Sequence, residues 1–300
     1  MNDAELLEQT TIARLLAFRR VAQAGGFALA APDNPPLQSQ LNRQVRQLEE
    51  ALKVQLIERE GRGVVVTPAG LRLSGVLADL IGGLQGVQAL RHGGVLELTL
   101  TGGDSVLQWL VLPTLAQVSA AVPGSVRFTL RASADALLDV TSGLSHFGLA
   151  RGGAKAPELS FRALGELKYA IFVPQTLAPK GTLTVAAVLN GCPIAVVAGE
   201  AAMFSEAFGG AAFAPTLVCE TYPQAAQAVA TGAYAAILPS IAAETLAGIP
   251  VTRLPLKLQG AEKTELRLVA RTRVCESQPA VQSAFLKLAQ VLKAALAARP

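Results

Sequence analysis

The tightest constraint on this chain is residues 41–52, LNRQVRQLEEAL, in which Leu41, Val45, Leu48 and Leu52 recur at steps of four, three and four. Apolar residues at that spacing make one stripe of an α-helix, and the stripe needs a core to face. Gln38, Ser39, Gln40, Asn42, Arg43, Arg46 and Gln47 fall on the other faces near its start. Arg, Gln and Asn are the side chains that make bidentate bonds to guanine and adenine edges in the major groove. Two readings follow. In one, this is a DNA recognition helix that presents Gln38, Ser39, Gln40, Asn42, Arg43 and Arg46 to double-stranded DNA. In the other it is an ordinary solvated surface helix.

The flanking segments favour the first reading. Residues 12–24 carry Ile12, Leu15, Leu16, Phe18 and Val21 on one side and stop at Gly25-Gly26, a helix-end signal. Residues 27–31 read as a short helix and 32–36, PDNPP, as a turn. Asn34 followed by Pro35 predicts that the recognition helix starts there, with an N-cap and then proline at the first helical position. Residues 54–58 and 64–66 read as two strands around a glycine-bearing turn, a β-hairpin wing with Arg62 at its tip, where it meets phosphate.

Thr67-Pro68 opens a further helix that runs to about residue 90. Its Leu73, Leu77, Leu80, Leu84 and Val87 alternate steps of four and three, a heptad seam that calls for a partner helix. Against pairing stand Gly75, Gly82, Gly83 and Gly86, each costing about 1 kcal/mol relative to alanine in a helix. The alternative is a helix packed on its own body. Residues 91–94, RHGG, read as a hinge.

From about Ile12 to Gly70 the chain resembles the winged helix-turn-helix of LysR-type transcriptional regulators. The resemblance is carried by LLAFRRVAQAGGFALAA and by LNRQVRQLEEALKVQLIEREGRGVVVTPAG, without a gap from Phe18 through Gly70. It departs at Leu37, where most members have a capping serine, and at Ser39, where most have proline. The resemblance implies a winged helix-turn-helix over 1–67, a linker helix over 68–91 that pairs with its twin, and an effector domain over 92–300. That domain would resemble periplasmic solute-binding proteins: two α/β lobes, I about 92–163 and 267–300 and II about 164–266, joined by two crossover strands with a cleft between.

The residues agree with an α/β body. Strand-like runs at 96–101, 126–131, 146–150, 169–173, 194–197, 216–220, 235–238 and 266–269 alternate with alanine-rich helical stretches, which predicts mainly parallel sheets. Residues 161–164 and the region around Leu266 would be the crossings.

Strand-to-helix turns at a cleft offer backbone N–H groups to a ligand. Gly103, Asp104 and Ser105 follow the first strand of this body, Ser133 with Ala132 follows the second, and Thr221 and Tyr222 follow Cys219-Glu220. These are the candidate effector-binding residues. Asp104 either caps its helix or points into the cleft. In the cleft it would repel an anion and favour a neutral effector, a cationic one, or none.

Little points to catalysis. Of two histidines, His92 falls in the hinge and His146 in an apolar strand, and there is no GxSxG, P-loop or strand-borne GxGxxG. Cys192, Cys219 and Cys275 are odd in number with no CxxC spacing, so we expect reduced, buried thiols and neither metal nor cofactor. Although 51% of residues are hydrophobic, no stretch reaches the roughly 18 uninterrupted apolar residues of a membrane span. The start, MNDAELLEQTT, has no basic n-region, so a cytoplasmic location is expected. A net charge of +4 permits nucleic acid without arguing for it. The leading expectation is a LysR-type regulator that reads promoter DNA as a homodimer or homotetramer and responds to a small-molecule effector. The alternatives are a constitutive repressor or architectural DNA-binding protein without ligand response and, more remotely, a small-molecule enzyme.

Overall fold

The computed structural model describes residues 3–61, 63–89, 95–121, 126–152, 156–178, 182–201, 203–204, 208, 214–256, 258 and 264–299. Arg62 and the expected hinge 91–94 lie outside the described residues, as does the side chain of Val87. The chain divides into two compact units, Met1–Gly94 with Leu138–Ser145, and Val95–Leu137 with His146–Pro300.

In the first unit the order is α1 (Asp3–Gln9), α2 (Ile12–Ala24), α3 (Phe27–Ala30), α4 (Pro35–Leu52), β1 (Ile57–Glu60), β2 (Gly63–Val66) and α5 (Pro68–Ala89). The chain leaves α2 through Gly25 at φ 73°, a left-handed conformation that glycine adopts without strain. As the sequence predicted, Asn34 caps α4, its side-chain oxygen accepting from Leu37 N at 3.1 Å. Leu41, Val45 and Leu48 are buried and share one core with Phe18, Val21 and Leu56.

The first wing strand starts at Ile57 rather than at residue 54, because residues 54–56 serve the end of α4. Val54 N donates to Glu49 O at 3.2 Å, and the Glu49 carboxylate accepts from Leu56 N at 2.8 Å and Ile57 N at 3.2 Å. The V-T-P-A-G corner is equally tight. Thr67 Oγ1 donates to Gln55 O at 2.8 Å and accepts from Gly70 N at 3.1 Å. A Cβ on Gly70 would stand 2.1 Å from Leu56 O, so only glycine fits.

The heptad seam of α5 is divided. Leu77 is buried and Leu73 half-buried against the core of this unit, because α2 and β2 pack on the first turns of α5. Leu80 and Leu84, by contrast, are 49% and 62% exposed, and Val76 joins them at 49%. Leu73 and Leu77 thus pack against the core of this unit.

The second unit holds two five-stranded sheets. One is ordered β4 (Val126–Ala132), β3 (Leu96–Gly102), β5 (Phe147–Arg151), β12 (Glu265–Arg271), β6 (Leu159–Glu166). The other is ordered β11 (Val251–Leu256), β7 (Tyr169–Pro174), β10 (Ala235–Pro239), β8 (Ile194–Val197), β9 (Leu217–Cys219). Four pairings are parallel, β3 with β4 and β5, and β8 with β9 and β10. The other four are antiparallel, which corrects the expectation of mainly parallel sheets. The cause is the double crossing: β6 leaves the first sheet and β12 returns to it, so these neighbours run in opposite directions. Strand β11 has no forerunner in the sequence reading. It lies on a sheet edge, where Pro255 is tolerated.

The helices of this unit begin with α6 (Asp104–Val106), which continues through a π turn at Leu107–Val111 and a 3-10 turn at Leu112–Thr114 into α7 (Leu115–Ala121). Then come α8 (Ala136–Thr141), shared between the two units, α9 (Val185–Gly191), α10 (Tyr222–Ala230), α11 (Thr272–Ser277) and α12 (Pro279–Ala297). By length and composition α12 is apolar enough to cross a membrane. Its stripe Val281, Phe285, Leu288, Leu292 and Leu296 is nevertheless buried, and it packs on β6 and α7, as a core helix does.

Candidate functional site

Two surfaces carry the candidate residues. The first is the solvent side of α4, opposite Leu41, Val45 and Leu48, where Ser39, Gln40, Arg43 and Arg46 are exposed. Gln38 departs from expectation: its side-chain amide donates to Ala31 O at 2.9 Å, tying α4 to the preceding turn instead of facing outward. Asn42 is half-buried and lines a groove toward the wing with Arg46, Phe27, Glu58 and Arg59. The wing is fastened to the end of α2, with Val64 N donating to Gly25 O at 3.0 Å, and Arg20 Nε binds Ala30 O at 2.8 Å to hold α2 against α3. With Arg62 outside the described residues, Arg59 is the described basic side chain on the wing, and it is exposed.

The second surface is a cavity of about 610 Å³ in the second unit. All six effector candidates, Gly103, Asp104, Ser105, Ser133, Thr221 and Tyr222, line it together with Ala132. They arrive just past the carboxyl ends of β3, β4 and β9, where open α/β sheets bind ligands. Asp104 is no N-cap. Gly103 occupies the cap position of α6, and Asp104 is the first helical residue, with no side-chain capping bond. Thr221 does cap α10, its hydroxyl accepting from Gln224 N at 3.3 Å. Ser133 Oγ likewise accepts from Asp135 N at 3.2 Å.

Sequence reasoning missed Arg151, Tyr169 and Glu200, which meet on the wall of the same cavity. Arg151 Nη1 donates to Tyr169 Oη at 2.7 Å and to Glu200 Oε2 at 3.3 Å, and its Nη2 forms an ion pair with the same carboxylate. A signal was present, a charged residue closing the apolar run FGLAR. Burial works against the charge of Arg151, yet the hydrogen bond and charge of Glu200 together with Tyr169 hold its pKa above the ordinary value. Burial raises the pKa of Tyr222, with Tyr169 and Glu200 adding to the effect. Only 8% of Tyr222 is exposed, and its side chain is buried against that of Tyr169.

His146 has a structural role. Its Nδ1 accepts from Thr99 N at 3.0 Å, and its backbone N donates to Thr99 O at 3.0 Å, which extends the contact between β3 and β5. The three cysteines are free thiols, Cys219 and Cys275 buried and Cys192 half-buried.

These two surfaces correspond to two family models. The one described as bacterial regulatory helix-turn-helix protein, lysR family, matches residues 12–71, and the one described as LysR substrate binding domain matches residues 92–292. The chain belongs to the LysR family. That family is one of transcriptional regulators, not of enzymes. Among curated LysR relatives, the HTH-type transcriptional regulator TrpI of Pseudomonas aeruginosa is 34% identical over 111 residues, 36% of this chain and 38% of TrpI. The match thus spans little more than a third of that relative's length. Among solved structures, ArgP from Mycobacterium tuberculosis superposes with a TM-score of 0.65 at 17% identity, covering 93% of this chain and 96% of that one. Full-length LysG from Corynebacterium glutamicum with bound effector Arg gives 0.63 at 17% identity, covering 93% and 97%. At such identities the likeness is one of fold, an N-terminal winged helix-turn-helix followed by a two-lobed α/β body resembling periplasmic binding proteins.

Proposed function

We propose that this LysR-family chain reads double-stranded promoter DNA and adjusts that reading to a small molecule held in the cavity of its second unit. One observation carries the proposal: Ser39, Gln40, Arg43 and Arg46 stand exposed on a helix whose opposite side is fixed in a core by Leu41, Val45 and Leu48. Donors on a rigid helix are what base edges in a major groove require. Arg59, and Arg62 beside it in the chain, would meet the phosphate backbone, which positions a protein without specifying sequence. Asn42, at the groove toward the wing, would work at the border of the two. Gln38 supports the contact indirectly through its bond to the turn.

The division into 1–67, 68–91 and 92–300 is kept as part of this reading, with lobes about 92–163 and 267–300, and 164–266. The change of sheet between Glu166 and Tyr169, and again between Leu256 and Glu265, supports those lobe limits. Assembly as a homodimer or homotetramer would use the outer half of α5, where Leu80 and Leu84 are exposed. Val87 continues that spacing. Gly103, Asp104, Ser105, Ser133, Thr221 and Tyr222 would meet the effector. A cytoplasmic location follows from work on promoter DNA.

The test is a footprint of the full-length protein on the DNA flanking its own gene. The reading expects protection of a segment with two half-sites spaced by whole helical turns, the geometry of a symmetric pair of recognition helices. Uniform cleavage at protein concentrations that saturate random DNA would overturn it.

A further inference from the structure

We propose that Arg151 is a clasp between the two lobes of the second unit, and that its bonds to Glu200 and Tyr169 set the angle at which the lobes close. Arg151 ends β5, in one sheet. Its partners belong to the other: Tyr169 opens β7, and Glu200 lies in the turn that follows β8. The guanidinium therefore meets the opposite lobe at two places. Nη1 donates to Tyr169 Oη at 2.7 Å and to Glu200 Oε2 at 3.3 Å, and Nη2 pairs with the other oxygen of that carboxylate. A two-pronged arginine–carboxylate pair fixes orientation as well as distance, because its N–H groups lie in one plane. Swinging the lobes apart would break both prongs together.

Each member of the clasp is itself held. Arg151 is paired across the ladder with Leu266, which is fully buried. Tyr169 is buried between Phe204 and Tyr222. The Glu200 backbone is fixed at both ends, its N donating to Val197 O at 3.1 Å and its O accepting from Phe204 N at 3.2 Å. The side chains of Arg151 and Glu200 are 35% and 15% exposed, so water and salt weaken the pair less than they would at an open surface. Closure of two lobes about their crossing strands is a motion that a few bonds can bias. On the cavity walls α6 of one lobe packs on α10 of the other, and that contact is what the clasp keeps closed. The proposal goes beyond the effector reading and does not depend on it, since the lobes are clasped by residues of the chain alone.

The experiment is hydrogen–deuterium exchange, read by mass spectrometry, on the full-length protein without added ligand. Glu200→Gln should speed exchange at the starts of α6 and α10, residues 103–108 and 221–227, by about tenfold, the scale of one charged hydrogen bond. Exchange in α12, whose stripe is buried in the core, should not move. Arg151→Gln should act alike, and the double variant should exchange no faster than the faster of the two single variants, because each change breaks the same pair. Unchanged exchange at both helix starts in Glu200→Gln would overturn the proposal. Equal acceleration in α12 would overturn it too, because the pair would then support the whole unit rather than the angle between its lobes. So would additive effects in the double variant, which would mean that the two side chains act separately. If Arg151→Gln alone loosens α12, Glu200→Gln decides, since it leaves the bond from Arg151 to Tyr169 in place.

Discussion

The outer side of α4 and the wall of the cavity are both polar, yet they are built in opposite ways. On α4 the side chains of Ser39, Gln40, Arg43 and Arg46 reach into solvent from a helix locked by its buried stripe. On the cavity wall most polar groups are already engaged: Arg151 with Glu200 and Tyr169, Thr221 with the start of α10, Ser133 with Asp135 N. On the proposed function, the difference follows from the partner each surface would meet. A duplex brings its own fixed array of phosphates and base edges, so the protein needs only rigid placement of free donors. A small ligand brings few contacts, and its affinity depends on groups held in place before it arrives.

If the two surfaces belong to separately stable units, damage to one core should spare the other. Leu48→Ala, in the core under α4, should cost the first unit about 2 to 5 kcal/mol. The single tryptophan, Trp109, is buried in the second unit and reports on that unit alone. Urea titration should therefore show the helical circular-dichroism signal of the variant moving to lower denaturant while Trp109 fluorescence does not move. Equal shifts of both signals would dissolve the comparison.

A smaller effect is expected on the outer half of α5. Leu84→Asp places a charge where a twin helix would bury an apolar side chain, a loss of about 1 to 3 kcal/mol in association. Light scattering should record a shift toward the monomer mass with the melting of the first unit unchanged. Leu77→Asp should instead unfold that unit, because Leu77 is part of its own core. If Leu84→Asp leaves the mass unaltered, α5 is not where copies of the chain meet.

The smallest effect sharpens the account of the cavity. Burial keeps Tyr222 protonated in the folded chain beyond the ordinary value of 10.0, and Tyr169 is raised in the same direction. Between pH 10 and the folded values the native state holds protons that the unfolded chain releases. Stability from these groups is complete below pH 10 and falls as pH rises above it. Tyr222→Phe should make that alkaline fall shallower and change the melting temperature at pH 7 only slightly, since Tyr169 keeps its bond from Arg151. An alkaline limb identical to that of the parent protein would mean that Tyr222 ionises freely in the fold.

What was legible in the sequence was local. The stripe of α4, its cap at Asn34 and the turn at Gly25 are set by residues within four or five positions of each other, and periodicity and capping rules reach that far. Contacts set by distant packing were not legible. Glu49 reaches across to Leu56 N and moves the start of the wing, and Gln38 turns inward to Ala31 O. The cavity was half legible: strand-to-helix turns revealed Gly103, Asp104, Ser133 and Thr221. Arg151, Tyr169 and Glu200 lie 18 and 49 positions apart, and only the folding of two sheets brings them together. The seam of α5 read as one continuous surface because its spacing is continuous, whereas α2 and β2 cover its first turns.

The central claim, that α4 reads bases while the wing holds phosphate, is tested most directly by fluorescence anisotropy of the full-length protein on its footprinted duplex and on a scrambled one, over a series of salt concentrations. Arg43→Ala and Gln40→Ala should each cost about 1 to 3 kcal/mol on the specific duplex and little on the scrambled one. Arg59→Ala should weaken both duplexes alike and reduce the salt slope by about one. The opposite pattern, with Arg59→Ala harming only the specific duplex while Arg43→Ala and Gln40→Ala weaken both equally, would contradict the account and remove α4 from the bases.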